Sequence, residues 1–228
     1  MDKLQLREKE IFETLKAIKK FEFAVIGGYA VNAYTSLPRF SIDCDIIVSE
    51  QKELNKITEE LLKLSYKESI IEEKNILYHG KFFRYEKTLE NNFKASIDIL
   101  FEKVLDRQTN ATFEAEWIIE NSSLKLLKGK TINEELKLRI INIDALIVMK
   151  IISCRNTDIR DIFMMTPKAE KIEWIKQEVS NRYILNERLE KIKKIINSKQ
   201  FKDNLQGIYG YIEQKIFDKY KKAIQELE

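Results

Sequence analysis

Histidine, cysteine, proline and glycine are all scarce in this 228-residue chain, and each scarcity excludes something. A single histidine, His79, cannot build a histidine-based metal centre or a Ser-His-Asp triad, so much conventional hydrolase chemistry is excluded and His79 reads as structural or solvated. The only cysteines are Cys44 and Cys154, for which buried, reduced thiols are expected rather than a disulfide. Two prolines and six glycines leave little room for linkers or disorder and favour long regular elements. No apolar run approaches membrane-spanning length. The start MDKLQLREKEIFETLK is charged throughout and carries no secretory signal, so a cytoplasmic protein without a membrane partner is expected. A dominant charge is also missing: 40 basic residues nearly balance 37 acidic ones, and a net +3 does not by itself predict nucleic-acid binding.

What the chain does have is a hydrophobic share of 44%, enough to fill a core, and one informative stretch from Phe23 to Ser49. The apolar run Phe23-Ala24-Val25-Ile26 is short enough for a buried strand and ends in Gly27-Gly28, where the backbone can turn tightly and approach a ligand. Tyr29 to Thr35 reads as the first turns of a helix, whose free N–H groups would face that turn and suit a phosphate. Past Pro38 and Arg39, Ser41 to Val48 reads as a second strand. A period of two puts Asp43 and Asp45 on one face and Ile42, Cys44 and Ile46 on the core face. Two neighbouring carboxylates repel, so they must share a proton, meet a cation or hold a divalent metal. A glycine turn beside a carboxylate pair is equipment for phosphoryl or nucleotidyl transfer.

Along the chain, residues 3 to 20 and Glu50 to Leu64 read as amphipathic helices, the second with Ser49 as N-cap. Short strand-like runs follow at Ser69 to Glu72, Ile76 to His79, Lys81 to Tyr85 and Phe93 to Phe101, with turn chemistry at Asn75, Gly80 and Asn91-Asn92. Leu124 to Ile132 suggests a strand pair around Gly129. From Ile143 onward the pattern is helical: 144–153, 157–166, 169–179, 184–196 and 205–227. The expected class is α+β, a mixed sheet flanked by helices over residues 1–120, with a mainly helical domain over 121–228 closing a cleft. Lys150 lies in the apolar stretch Ala145 to Ile152, where an ammonium either snorkels to the surface or emerges at that cleft. Tyr209, Phe217 and Tyr220, near helical spacing, read as packing residues.

The phrase Gly27-Gly28-Tyr29-Ala30, followed by Arg39-Phe40-Ser41-Ile42-Asp43-Cys44-Asp45, resembles the nucleotidyltransferase superfamily that shares the DNA polymerase β fold, and most closely the branch of AbiEii-type toxins and small prokaryotic nucleotidyltransferases. The resemblance implies a third carboxylate, Asp98 in Lys94 to Phe101, and a later helical phrase, matched by Lys150 to Asp161. It departs at Gly28, where many relatives have Ser, and at Thr157, where a Lys is common. It implies Asp43, Asp45 and Asp98 as catalytic and metal-holding groups for Mg²⁺ or Mn²⁺. Gly27, Gly28, Arg39, Lys150 and Asp158 would bind the nucleoside triphosphate. The implied reaction is transfer of a nucleoside monophosphate to a hydroxyl with release of pyrophosphate, with tRNA as a candidate acceptor and an antitoxin as a candidate partner. Arg39 and Asp158 also have structural readings, as a counter-ion for the aspartates and as a first-turn acid of the next helix. A small-molecule adenylyltransferase, a catalytically silent nucleotide- or RNA-binding module and a plain interaction protein are the competing classes.

Overall fold

The computed structural model describes residues 2–69 and 81–228, so the runs expected at Ile76 to His79 and across Ser69 to Glu72, and His79 itself, lie wholly or mostly outside the described residues. The first helix, α1 (Lys3–Ile18), buries Ile11, Phe12, Leu15 and Ile18, a three-to-four-residue spacing that makes one continuous apolar stripe. It leads into the short strand β1 (Ala24–Val25), helix α2 (Gly27–Asn32) and strand β2 (Asp43–Val48). Helix α3 (Gln51–Lys63) packs beside α1. Its N-cap is Glu50 rather than Ser49, and no side chain caps it. Strands β3 (Lys67–Ser69), β4 (Lys81–Thr88) and β5 (Lys94–Phe101) follow. The hairpin of β6 (Lys103–Leu105) and β7 (Thr112–Glu114) leads to helix α4 (Ala115–Glu120), and then come strands β8 (Ser122–Lys128) and β9 (Glu135–Ile141).

Seven strands form one mixed sheet in the order β3-β4-β5-β2-β1-β9-β8. The β2 to β5 pair is parallel, in a register that sets Asp45 beside Asp98 and Asp43 beside Ser96. β1 lies antiparallel to β2 and parallel to β9, so the shortest strand sits inside the sheet and not at an edge. The β8–β9 hairpin, whose turn lies further along than Gly129 alone suggested, belongs to this same sheet, which therefore extends past residue 120 to Ile141. β2 begins two residues later than its sequence implied. Cys44 and Ile46 are buried, but Ile42 precedes the strand and is 67% exposed.

The remaining chain is helical: α5 (Ile143–Ser153), α6 (Asn156–Met165), α7 (Ile172–Ser180), α8 (Leu185–Ile196), α9 (Lys199–Tyr209) and α10 (Gln214–Gln225). The continuous helix expected over 205–227 is broken. Gly210 takes φ 87°, a conformation that ends α9 and turns the chain before α10 starts. Nearly every residue of α5 is buried, because α2, α6, α7 and α8 surround it. Phe163 of α6 centres a ring cluster with Phe201, Phe217 and Tyr220, at centroid distances of 5.2, 4.9 and 5.8 Å, so Phe217 and Tyr220 do pack. Both cysteines are free and buried. Among the described residues no helix is long and apolar enough to cross a membrane.

Glu8 ties the first helix to the far edge of the sheet. Its buried carboxylate accepts hydrogen bonds from the backbone N–H groups of Lys130 (2.6 Å), Thr131 (2.5 Å) and Ile132 (3.2 Å), and from the Thr131 hydroxyl (2.6 Å). These are charge-assisted bonds to backbone amides of the turn. Replacing Glu8 with Ala leaves that cluster of donors unpaired, and the expected loss is about 2–4 kcal/mol in urea unfolding, with little change in the denaturant slope.

Candidate active site

The site begins at the end of β1. Gly27 has φ +62°, and a Cβ there would collide with the carboxylate of Asp45, so this position requires glycine for conformation and for space together. The backbone N–H of Ile26 donates to the Asp45 carbonyl at 3.0 Å, which pins the turn against β2. α2 starts at Gly27 itself, two residues earlier than its sequence suggested, and is six residues long. Gly28 has a different reason to be glycine. The Ser41 hydroxyl and the Arg39 guanidinium occupy the volume its side chain would need.

A cavity of about 480 Å³ opens above this turn, within the size range of small-molecule sites. Gly27, Asp43, Asp45, Asp98, Lys150 and Asp158 all line it, together with apolar side chains from β4, β5, the β6–β7 hairpin and α5. Gly28 and Arg39 do not line it.

The carboxylates differ in their surroundings. Burial, then repulsion from Asp43 and Asp98, pushes the Asp45 carboxyl up to about 8, and Lys150 and Arg84 offset this only in part. Asp98 is also raised by burial, although Arg84 opposes the shift. Arg84 forks onto Asp98, with Nε to Oδ1 at 2.8 Å and Nη2 to Oδ2 at 2.5 Å, and Nη2 also reaches Asp43 Oδ2 at 3.3 Å. That arginine was not foreseen from sequence. In β4 it is one polar residue in an alternating strand, and only its register opposite Asp98 reveals its partner.

Lys150 is neither a snorkelling residue nor a free one. It is 6% exposed, and its ammonium lies 2.8 Å from Asp161 Oδ2 and 2.9 Å from Asp158 Oδ1. Burial alone would lower its pKa, yet Asp161 and Asp158 outweigh that and hold it raised, so it stays charged. Asp158 also accepts from the Ser153 hydroxyl at 2.7 Å and from the Arg155 backbone N–H at 3.2 Å, which combines the first-turn role with the pairing to Lys150.

Asp161 carries the most connections. Arg39 forks onto it, Nε to Oδ1 at 2.7 Å and Nη2 to Oδ2 at 2.8 Å, and the Tyr209 hydroxyl donates to Oδ1 at 2.7 Å. Burial would raise its pKa, but Lys150 and Arg39 together bring it down to about 2. Arg39 therefore neutralises an aspartate of α6, not those of β2. Tyr209 packs as expected and, beyond that, supplies this buried hydrogen bond.

No family model and no curated protein matches this sequence. Solved structures do. MenT4, a nucleotidyltransferase toxin from Mycobacterium tuberculosis, superposes with a TM-score of 0.59 at 12% identity, over 98% of this chain and 82% of that one. JHP933 from Helicobacter pylori aligns over 100% of this chain and 89% of its own at 14% identity, with a TM-score of 0.46. The chain has the nucleotidyltransferase fold. At these identities the likeness is one of architecture, and the chemistry has to be argued from the residues themselves.

Two outcomes check the electrostatics. Between about pH 4, where an unfolded carboxyl loses its proton, and about pH 8, the folded chain retains a proton on Asp45 that the unfolded chain has lost. Stability therefore falls as pH rises through that window; in EDTA the decline measured by urea unfolding from pH 5 to pH 8 should be shallower in Asp45→Asn. Asp161→Ala leaves Lys150 and Arg39 facing each other without their shared anion, and a loss of about 3–5 kcal/mol is expected, far more than for Asp43→Asn.

Proposed function

We propose that this chain is a metal-dependent nucleotidyltransferase that moves a nucleoside monophosphate from a nucleoside triphosphate to a hydroxyl acceptor. The observation that carries the reading is one cavity holding Asp43, Asp45 and Asp98 on adjacent parallel strands, Gly27 against Asp45, and the buried ammonium of Lys150.

The donor set fits a hard divalent cation in kind. Asp43 and Asp45 share a strand face, and the burial and repulsion that together raise Asp45 are what a bound cation would offset. No group of three or more metal-ligating side chains is assembled among the described residues, and Arg84 engages the third carboxylate, Asp98. Asp43 and Asp45 are accordingly the residues that would hold Mg²⁺ or Mn²⁺, the remaining positions falling to phosphate oxygens and water, as is usual for Mg²⁺. When bound, the metal supplies Lewis-acid polarisation of the phosphoryl oxygens.

The chain's own residues then have distinct tasks. Lys150, kept charged by Asp158 and Asp161, offers positive charge to the triphosphate. Gly27 lets the backbone come close to it. Asp98, its pKa raised by burial, takes the proton of the acceptor hydroxyl. The hydroxyl oxygen bonds to the α-phosphorus, the bond to the oxygen bridging α and β breaks, and pyrophosphate leaves. Arg39 and Asp161 act through Lys150, as positioning residues. Gly28 makes room for Arg39 and Ser41.

A toxin acting on tRNA, restrained by an antitoxin partner, is the biological setting we favour, supported by the architectural likeness to MenT4 and by the Arg39 to Asp45 phrase. Incubation with each α-³²P-labelled nucleoside triphosphate, Mg²⁺ and either total tRNA or a small-molecule extract tests both levels. Label on tRNA from the wild type, reduced about a thousandfold or more in Asp43→Asn, is expected. Undiminished labelling by the variant removes Asp43 from the mechanism. Label only on small molecules selects the small-molecule adenylyltransferase, and no label on anything the silent module.

A further inference from the structure

Asp106 has no part in the chemistry proposed above, yet it is buried and lines the same cavity. It follows β6, at 6% exposure, where its carboxylate closes a turn: Oδ2 accepts from the backbone N–H groups of Gln108 (3.2 Å) and Thr109 (2.9 Å) and from the Thr109 hydroxyl (2.8 Å). Its backbone is held as well, its N–H donating to Ala111 and its carbonyl accepting from Asn110, each at 2.9 Å. The other carboxylate oxygen, Oδ1, is buried and accepts no hydrogen bond among the described residues. The nearest cation is Arg155, whose Nη2 stands 3.8 Å away, beyond hydrogen-bonding distance, on a side chain that is more than half exposed.

A fixed, buried carboxylate oxygen without a donor is costly and rare, and one on a residue that lines a cavity points to a ligand that supplies the donor. The order of residues along the wall indicates which part of a ligand. On β5, Asp98 and then Leu100 face the cavity; the chain continues through Val104 to Asp106, with Phe113 and Met149 completing an apolar wall. Along the chain, the apolar lining residues Leu100, Val104 and Leu105 lie between Asp98 and Asp106. With the triphosphate at Asp43 and Asp45, a base against those apolar side chains would present its edge to Asp106.

Resting on the nucleotidyltransferase reading, we infer that Asp106 and Arg155 form a base-reading pair selecting nucleotides whose Watson–Crick edge carries an exocyclic amine beside a ring nitrogen acceptor, which is to say cytosine or adenine. Asp106 Oδ1 accepts from the amine, and the Arg155 guanidinium donates to the ring nitrogen. Uracil and hypoxanthine present the reverse order, a carbonyl beside an N–H. In the same pose they set an oxygen against the carboxylate and a donor against the guanidinium, which a buried acceptor rejects strongly.

Isothermal titration of the protein with CTP, UTP, ATP and ITP, in Mg²⁺ and without an acceptor, compares two pairs that differ chiefly in this edge. The expected result is tighter binding of CTP than UTP and of ATP than ITP, each by about tenfold or more. Asp106→Asn can keep the turn through its amide oxygen while placing an NH₂ group where Oδ1 stood, and should erase both preferences. Equal wild-type affinities within both pairs, or preferences unchanged in Asp106→Asn, overturn the inference while leaving the nucleotidyltransferase reading intact. Absence of binding by all four, with no label transferred in the radiolabel assay, overturns both. The wild-type comparison stands even if the variant fails to fold.

Discussion

The buried charge system around Asp161 is the constraint on which the rest of the molecule depends. Two cations and an anion taken out of water are tolerable only if each meets its partner in good geometry, and Asp161 meets three: Lys150 from α5, Arg39 from the connection before β2, and Tyr209 from α9. One carboxylate thereby joins four separate parts of the chain. Misplacing any of them would leave a bare charge in the interior, so the helical layer has essentially one way to sit against the glycine turn. This is a source of specificity more than of net stability, since apolar residues of the same volume could pack as well.

The same system explains why the cavity can be strongly polar and still well formed. Lys150 faces Asp158 and Asp161 on one side and influences Asp45 on the other. Arg84 does the corresponding work for Asp98 and Asp43 from β4. Among the described residues Asp45 has no such direct ion-pair partner, and its carboxyl is pushed up to about 8. Of the three carboxylates it is the one whose charge the protein compensates least directly, and it is the one against which Gly27 is packed.

Much of this was legible in the sequence, for physical reasons that can be named. The strand, glycine turn and Asp-x-Asp strand are local, and the period of two fixes which side chains share a face; Asp98 was implied by the family resemblance and lies in a run, Lys94 to Phe101, that reads as a strand. Lys150 stood out because a charge in an apolar helix demands a reason. What could not be read was pairing across distance. Arg84 is an ordinary polar residue until β4 is laid antiparallel to β5, and Arg39, read as a triphosphate contact or a counter-ion for Asp43 and Asp45, finds its partner in Asp161, more than a hundred residues on. Likewise nothing local says that Glu8 will cap the turn of the last hairpin, or that Asp106 will keep one oxygen bare. The break at Gly210 was missed because apolar spacing continues on both sides of it, although the glycine itself was the available signal.

The place of the two-residue β1 inside the sheet has a consequence for how the protein emerges from the ribosome. Its antiparallel partner β2 follows within about twenty residues, but its parallel partner β9 pairs with Val25 through Ile140, and the anion that satisfies Arg39 comes later still. The nascent N-terminal half therefore carries a strand with one open side and an arginine without its counter-ion until the sixth helix has been synthesised. Closure of so distant a contact is slow in conformational entropy. The face that carries the cavity is thus among the last parts of the molecule to become whole during translation, and an incomplete chain cannot present it assembled.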